Sequence, residues 1–276
     1  MLPDLLDGWR RDLAGWAIPE EITATVTQSP WVMPRQVFAR RADRVRAAPA
    51  GPSFQRAWAA LDPPGSVLDV GSGAGAACLP LLSRATHLTA VDTDAGMLER
   101  LIERVDPSPV GFDAVLGAWP DVAVQVGPAD VVTCYNVLYN VPDLAPFVVA
   151  LTAAARRIVV AEMTSEHPLV SLNALWLRFH GLRRPAGPTA AGLVRILDAM
   201  GLRPGHETWR RPGGRDYADF AELVDVTRRR LCLPAERTDE VAQALIESGA
   251  DPASPVDLGT SGREVVTIWW NGGAES

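Results

Sequence analysis

Five short runs rich in β-branched and other apolar residues alternate with longer segments in the middle of this 276-residue chain. They read SVLDV, HLTAVD, DAVLGA, ADVVTCY and RIVVAE and lie between residues 66 and 162. In one intervening segment, Met97, Leu98, Leu101, Ile102 and Val105 form an apolar stripe at helical spacing. Strands that alternate with helices pair in parallel, because each crossover returns the chain to the same edge of the sheet. This alternation of strands and helices therefore predicts an α/β fold.

Further helices and strands follow from the same reasoning. AACLPLLSRA, DAGMLERLIERV and PDLAPFVVALTAAARR predict crossover helices, HPLVSLNALWLRFHG an added helix, and TAAGLVRILDAMG a helix that begins after Thr189 and ends at Gly201. HETWR and REVVTIWW predict two strands in the tail, with two helical stretches between them. We expect a Rossmann-like, doubly wound, mostly parallel seven-stranded sheet with a helical N-terminal cap and helical insertions near the C-terminus.

The predicted domain organisation follows from what surrounds these strands. Residues 1–56 contain candidate helices from Leu5 to Trp16 and from Arg35 to Arg46, followed by the soft spacer AAPAGP, and we interpret them as a cap or lid. Residues 57–276 then form the main domain, with added helices at about 166–182 and 216–248. The chain has no internal repeat of fixed period.

Composition excludes several classes of function. A net charge of −7 and a pI near 5.2 argue against binding dominated by nucleic-acid phosphates. Three widely spaced cysteines, and the lack of any H-x-x-H pattern, favour neither a disulfide framework nor a metal site. The N-terminus carries Asp4, Asp7 and Asp12, unlike a signal peptide, and no apolar run approaches the ~18 residues of a membrane span. We expect a cytoplasmic protein without membrane contacts.

The stretch VLDVGSGAGA indicates the ligand. Gly71, Gly73 and Gly75 follow a strand and lie where backbone amides face the carboxyl end of the sheet. Asp69 disfavours a pyrophosphate, because two like charges would meet in a partly dry site, whereas it suits an ammonium group. Asp92 closes the second strand, where a carboxylate accepts hydrogen bonds from a ribose diol. A ribose joined to an amino-acid cation points to S-adenosylmethionine.

From Val67 to about Glu162 the chain resembles class I S-adenosylmethionine-dependent methyltransferases. The matching pieces are VLDVGSGAG, TAVDTDAGML, VLGAWPD, ADVVTCYNVLYNVPDL and RIVVAEM, in the family's order and spacing. The resemblance implies that Asp69, Gly71 and Gly73 surround the methionine end, that Asp92 holds the ribose and that Thr93 borders the adenine. The remaining residues that it assigns to the cofactor are Ser72, Gly75, Met97, Gly117, Ala118, Trp119, Tyr135 and Asn136. Ala118 stands where the family often has an acidic residue, and Trp119 is equally compatible with plain core.

Methyl transfer from a sulfonium is an in-line displacement, so the protein has chiefly to align two reactants in a site shielded from water. We predict transfer to an O or N atom of a small organic acceptor, with His167, Tyr139 and Asn136 as candidate catalytic residues. The fourth strand ends in TCYN without the prolines of enzymes that methylate nucleic-acid amines. Trp9, Trp16, Trp31 and Trp176 are candidates for an apolar acceptor pocket.

Other interpretations stay open at this point. A non-catalytic cofactor-binding or regulatory protein would share the fold, and so would an NAD(P)-dependent oxidoreductase, although that class prefers G-x-G-x-x-G. Arg35, Arg40, Arg41, Arg44 and Arg46 either form a solvated helix face, which we favour, or meet an anionic substrate or the cofactor carboxylate. Arg228 to Arg230 are interpreted as a solvated face.

Overall fold

A computed structural model describes every residue except 25, 27, 28, 32, 33, 107, 275 and 276. Its strands are β1 (Gly65–Val70), β2 (Ala85–Asp92), β3 (Gly111–Leu116), β4 (Ala129–Tyr135), β5 (Ala155–Thr164), β6 (Gly205–Arg210) and β7 (Glu264–Asn271). Its helices are α1 (Leu2–Ala14), α2 (Glu20–Thr23), α3 (Arg35–Ala47), α4 (Pro52–Ala60), α5 (Ala95–Val105), α6 (Leu144–Ala154), α7 (Asn173–His180), α8 (Ala190–Ala199), α9 (Phe220–Arg230) and α10 (Thr238–Glu247).

The seven strands form one sheet in the order β3-β2-β1-β4-β5-β7-β6. Neighbours among β1 to β5 are parallel, and β7 runs antiparallel to both β5 and β6. The order reverses beside β1, so the loops after β1 and β4 diverge there and leave a crevice at the carboxyl edge. The predicted α/β fold with a mostly parallel seven-stranded sheet is confirmed.

Buried side chains from both faces of the sheet pack against helices. Leu68 and Val132 face the core that contains Phe147 of α6 and Leu193 of α8, whereas Val67 and Val131 face the core that contains Leu101 of α5. Neighbouring residues of one strand thus point to opposite cores, as the two-residue period of a strand requires. Strands buried on both faces explain why their sequences are continuously apolar.

The connection between β1 and β2 differs from the prediction. AACLPLLSRA was expected to be a crossover helix, but it forms turns around a single 3-10 turn at Leu79–Leu81. Pro80 lacks the N–H of an α-helical hydrogen bond, and its ring disfavours the preceding turn. Gly71, Gly73 and Gly75 all have positive φ, at 72°, 52° and 94°, which a helix does not accommodate. No long helix therefore begins at the glycine loop.

Helix ends elsewhere follow local chemistry. Asp94 caps α5 by accepting hydrogen bonds from the N–H groups of Gly96 and Met97, at 2.9 and 3.2 Å. Thr189 caps α8 by accepting from the Gly192 N–H, as predicted. α7 ends at Gly181, whose φ of 65° is the left-handed conformation that ends many helices.

A third core lies outside the two sheet-packed layers. The segment between β6 and β7 leaves and returns at paired residues, Arg210 and Glu264, and Thr164 at the end of β5 pairs with Val265. This insertion therefore starts at the carboxyl edge, where the cofactor loops were predicted. The members of the third core are Val37, Leu172, Leu175, Trp176, Tyr217, Leu223, Val224, Val226, Leu231, Cys232, Leu233, Val241, Ala244 and Leu245.

Charged side chains of α3 connect the N-terminal region to this insertion. Arg41 Nη2 lies 2.6 Å from Asp257 Oδ2, and Arg44 Nη2 lies 2.6 Å from Asp216 Oδ1. Both carboxylates are buried, and Asp216 also accepts from the Asp257 N–H and the Ser261 hydroxyl. Burial alone would raise the pKa of Asp257, but Arg41 and Arg230 hold it below its ordinary value.

The solvated-face interpretation of the α3 arginines is wrong for most of that set. Arg40, Arg41 and Arg44 bond to the insertion and form part of the folded structure. Arg35 pairs with Asp94 instead. Within the described part of the chain, no helix is long and apolar enough to cross a membrane.

The buried ion cluster predicts a large difference between two arginines of one helix. Arg41→Met leaves Asp257 buried without its nearest cation and should lower the free energy of unfolding by about 3–5 kcal/mol. Arg35→Met breaks an exposed pair with Asp94, which solvent and salt screen, and should cost far less than Arg41→Met. Urea unfolding of both variants measures the contrast, and equal costs would show that the Arg41 pair contributes no more than a surface contact.

Candidate active site

The carboxyl ends of β1 and β4 bring two polar residues together inside the protein. Asp69 stands beside Thr133 across the parallel pair, and the Thr133 hydroxyl donates to Asp69 Oδ1 at 2.8 Å. Both residues are fully buried. The other carboxylate oxygen, Oδ2, has no partner among the described residues.

Burial controls the charge of this carboxylate. Desolvation raises the pKa of Asp69 to about 6, although hydrogen bonding by Thr133 and Cys78 opposes the increase. An ionised carboxylate with one unpaired oxygen is costly inside a protein. The site is thus prepared for a cation or a hydrogen-bond donor that the polypeptide itself does not supply.

The loops after β1, β2 and β4 are held against one another. A Cβ at Gly71 would lie 2.2 Å from Val137 Cγ2, so only glycine allows the loop after β4 to approach so closely. The Gly73 N–H donates to Asp92 Oδ2 at 2.7 Å, and the Asp94 N–H donates to Asp92 Oδ1 at 2.9 Å. Asp92 therefore orders the glycine loop, whereas Asp94 is the residue that caps α5.

Further polar atoms lack partners at the end of β4. Asn136 has a positive φ of 60°, and its N–H donates to the Glu162 carbonyl at 2.7 Å. Its side-chain Oδ1 is buried and has no hydrogen-bond partner in the described part of the chain, and the same holds for the hydroxyls of Tyr135 and of Ser72 in the glycine loop. Burial raises the pKa of Tyr135 well above its ordinary value, so the phenol stays neutral.

Four unpaired buried atoms therefore belong to residues assigned to the cofactor from the sequence: Asp69, Ser72, Tyr135 and Asn136. Leaving a buried polar group without a partner costs ~1–3 kcal/mol. A protein that retains four such atoms around two neighbouring strand ends has polar groups available for a ligand.

The residues predicted near the adenine occupy a more open position. Thr93 and Ala118 are exposed, and Gly117 is half-buried with its N–H donating to the Asp92 carbonyl at 2.9 Å. Met97 and Trp119 are buried. The Trp119 indole donates to the Phe147 carbonyl at 3.3 Å and belongs to the core, so its backbone is better placed for a ligand than its ring.

Residues 67–159 match the family model described as a methyltransferase domain. The chain carries a class I S-adenosylmethionine-dependent methyltransferase domain. The match runs from within β1 to the middle of β5, which is the part of the sheet that holds the glycine loop, Asp92 and the end of β4. No curated protein matches the sequence.

Two solved structures share the fold of this chain, and a third is similar to a smaller part of it. A cyclopropane-fatty-acyl-phospholipid synthase-like protein from Lactobacillus casei is 15% identical, with a TM-score of 0.55 over 91% of this chain and 98% of that one. A protein from Bacillus halodurans described as a candidate methyltransferase is 16% identical, with a TM-score of 0.50 over 79% and 96%. Magnesium protoporphyrin IX methyltransferase from Synechocystis, solved with S-adenosylhomocysteine, is 20% identical, with a TM-score of 0.46 over 63% and 76%.

The acceptor side of the methyltransferase contains two of the candidate catalytic residues. His167 is buried, its ring stacks on Trp16 with centroids 4.3 Å apart, and the Tyr139 ring meets it edge-on at 5.4 Å. Burial lowers the pKa of His167 to about 4, and the Arg230 guanidinium acts in the same direction. His167 is therefore neutral at pH 7. Asn136, the third candidate, lies at the end of β4.

The structure separates the tryptophans that were grouped in the sequence. Trp16, Trp31 and Trp176 line one narrow cleft with Leu172, Arg184 and Arg230. Trp9 lies elsewhere, and its indole donates to the Val141 carbonyl at 2.8 Å. Arg184 was not singled out from the sequence. The prediction that Arg228 to Arg230 form a solvated face is wrong, because Arg230 lines this cleft and the side chains of Arg228 and Arg229 are only 15% and 16% exposed.

A larger groove, about 850 Å³ in volume, lies away from these residues. Phe54, Trp58 and Pro80 line it, together with Ala85 and Val110, which stand at the amino ends of β2 and β3. It opens at the edge of the sheet opposite to the glycine loop. This groove is therefore not the candidate active site, although its volume is larger.

The raised pKa of Asp69 predicts a stabilising substitution. A folded-state pKa of about 6 against 3.8 unfolded means that stability is lost as the pH rises through 6, by up to about 3 kcal/mol. Asp69→Asn should therefore raise the free energy of unfolding of the ligand-free protein at pH 8 and have little effect at pH 4. Urea unfolding at both pH values, with the exposed Asp106→Asn as control, tests this. A loss of stability at pH 8 would contradict it.

Proposed function

We propose that this methyltransferase moves a methyl group from S-adenosylmethionine to an O or N atom of a small organic acceptor. The observation that carries the proposal is the coverage of the acceptor side by the N-terminal region. Trp16 stacks on His167 after β5, and Trp9 bonds to Val141 after β4. A polymeric substrate needs an open groove at this place, whereas a small molecule fits under such a cover.

The same contacts support the proposed role of the N-terminal region as a cap on the methyltransferase domain. Residues 1–56 act as the cap, and residues 57–276 form the methyltransferase domain with added helices at about 166–182 and 216–248. Helix α4, at Pro52–Ala60, crosses the proposed boundary, so the cap is continuous with the domain rather than separated by a free linker.

The proposed cofactor contacts follow from the available polar atoms. Asp69 Oδ2 accepts from the ammonium of the methionine end, and Gly71, Ser72 and Gly73 surround that end. Asp92 holds the ribose diol: each of its carboxylate oxygens accepts one backbone N–H and keeps a lone pair for a ribose hydroxyl. Thr93, Met97, Gly117, Ala118 and Trp119 border the adenine.

Bound S-adenosylmethionine supplies an electrophilic methyl on a sulfonium. The protein has to hold the acceptor atom in line with that methyl and to exclude water. Tyr135 and Asn136 are proposed to flank this position, because their unpaired atoms stand at the end of β4.

His167 and Tyr139 are proposed to orient the acceptor. His167 Nδ1 accepts from the Leu169 N–H at 3.3 Å, so the neutral ring carries its proton on Nε2 and offers a donor there. Burial also raises the pKa of Tyr139, so its hydroxyl stays neutral. Two neutral donors position an acceptor better than they remove its proton.

Cofactor affinity should depend on pH through Asp69. An ammonium ligand prefers the ionised carboxylate, so the affinity for S-adenosylhomocysteine should be constant above pH 7 and fall towards tenfold per pH unit below about 6. Calorimetric titration between pH 5 and 8 measures the dependence. Asp69→Asn should bind weakly at every pH, and a flat wild-type profile would exclude Asp69 as the ammonium ligand.

Methyl transfer itself is tested with labelled S-adenosylmethionine and a cell extract that is separated by size afterwards. The label should enter the low-mass fraction, and Asp92→Ala should abolish the transfer together with the thermal stabilisation by S-adenosylhomocysteine. Label confined to protein or RNA would reject the small acceptor. Cofactor binding without any transfer would favour a regulatory protein, and stabilisation by NADH alone would favour an oxidoreductase.

A further inference from the structure

Two half-buried arginines of the tryptophan cleft, Arg184 and Arg230, differ from neighbouring arginines that form ion pairs. Arg41 pairs with Asp257, and Arg211 pairs with Glu162. Neither Arg184 nor Arg230 has a carboxylate within ion-pair distance among the described residues, and the Nε atom of each is buried without a hydrogen-bond acceptor. The buried Nε donor of each residue is therefore available to an acceptor, and an anion would supply one together with a countercharge.

Arg230 differs sharply from its neighbours in sequence. Arg228 and Arg229 both bond to Asp225 on the surface of α9, at 2.7 and 3.0 Å. Arg230 instead lines the cleft, and its charge acts on Asp257, His167 and Tyr139. This guanidinium thus links the lining of the cleft electrostatically to the two residues proposed to orient the acceptor.

Arg184 is the second arginine that lines the cleft. Its Nη1 and Nη2 atoms donate to the carbonyls of Ala17 and Trp16, and its guanidinium lies 5.4 and 5.0 Å from the ring centroids of Trp16 and Trp176. Burial lowers the pKa of Arg184. Its Nε remains available, so an anion between Arg184 and Arg230 would receive donors from both.

The aromatic lining defines the rest of the ligand. Trp16, Trp31 and Trp176 present flat apolar surface, which favours a planar ring over a flexible chain. The cleft encloses only about 10 Å³ of free space, so a ring enters by displacing side chains. Trp31, which is 52% exposed, is the lining residue freest to move.

We propose that the cleft binds the carboxylate and ring of an aromatic acid, and that the acceptor of this methyltransferase belongs to that class. The identity of this ligand with the methyl acceptor rests on the proposed function, whereas the binding of an aromatic acid in the cleft does not. The guanidinium of Arg230 receives the carboxylate, because its planar donors match two carboxylate oxygens. The ring lies against the tryptophans.

The test is a titration of the full chain with benzoate, indole-3-carboxylate and 2-naphthoate, and with the three matching carboxamides, each with and without S-adenosylhomocysteine. Tryptophan fluorescence reports binding. At least one carboxylate should bind tenfold or more tightly than its carboxamide. Equal affinity within every pair, or no binding by any carboxylate, would overturn the proposal.

Three variants locate the binding. Arg230→Gln should weaken carboxylate binding at least tenfold and leave carboxamide binding unchanged, whereas Arg229→Gln, its neighbour on α9, should change neither. Trp31→Ala should weaken both members of a pair by roughly fivefold or more. Thermal unfolding confirms that each variant is folded, and carboxylate affinity that is the same in Arg230→Gln and Arg229→Gln would also overturn the proposal.

The two proposals fail separately. S-adenosylhomocysteine binding should be unaffected by Arg230→Gln, because Arg230 contacts none of the residues assigned to the cofactor. If wild-type protein binds no S-adenosylhomocysteine but still prefers carboxylates, the proposed methyltransferase function is rejected and the proposed aromatic-acid site is supported. If it binds S-adenosylhomocysteine and shows no carboxylate preference, the aromatic-acid site is rejected and the cofactor assignment is supported.

Discussion

A carboxylate taken out of water has to meet a cation or several hydrogen-bond donors, and this requirement organises the protein. Asp216 and Asp257 meet it internally through Arg41, Arg44, backbone N–H groups and hydroxyls. Asp69 meets it only in part, since one oxygen has Thr133 and the other has nothing. The fully paired carboxylates of Asp216 and Asp257 stabilise the fold, whereas the partly paired carboxylate of Asp69 can bind a ligand.

The same reasoning applies to cations. Nearly all unpaired buried polar atoms of the described chain fall in two places, around the ends of β1 and β4 and around the tryptophan cleft. The first place holds a carboxylate with an unpaired oxygen, and the second holds two guanidinium groups with an unpaired Nε. A methyl donor with an ammonium group would pair with Asp69, and an acceptor with a carboxylate would pair with the arginines of the cleft. The two sites would therefore distinguish their substrates by charge.

Much of the sheet could be predicted because its signals are local. A buried parallel strand needs a continuous apolar run, and the runs from Val67 to Glu162 predicted the first five strands to within a few residues. The helix between β1 and β2 was predicted wrongly, because apolar spacing was weighed above Pro80 and above the backbone conformation that the glycines impose. The roles of Arg41, Arg184 and Arg230 could not be predicted, since each depends on partners more than a hundred residues away or on partners that are absent.

The insertion between β6 and β7 has a consequence for how such proteins diversify. Its two ends lie side by side on paired strands, so its length and sequence can change without any shift of the strands that carry them. The glycine loop and Asp92 lie on the other half of the sheet and do not depend on its contents. The insertion could therefore be replaced as a unit, by natural variation or by protein engineering. Such a replacement would keep the methyl donor and change which molecules receive the methyl group.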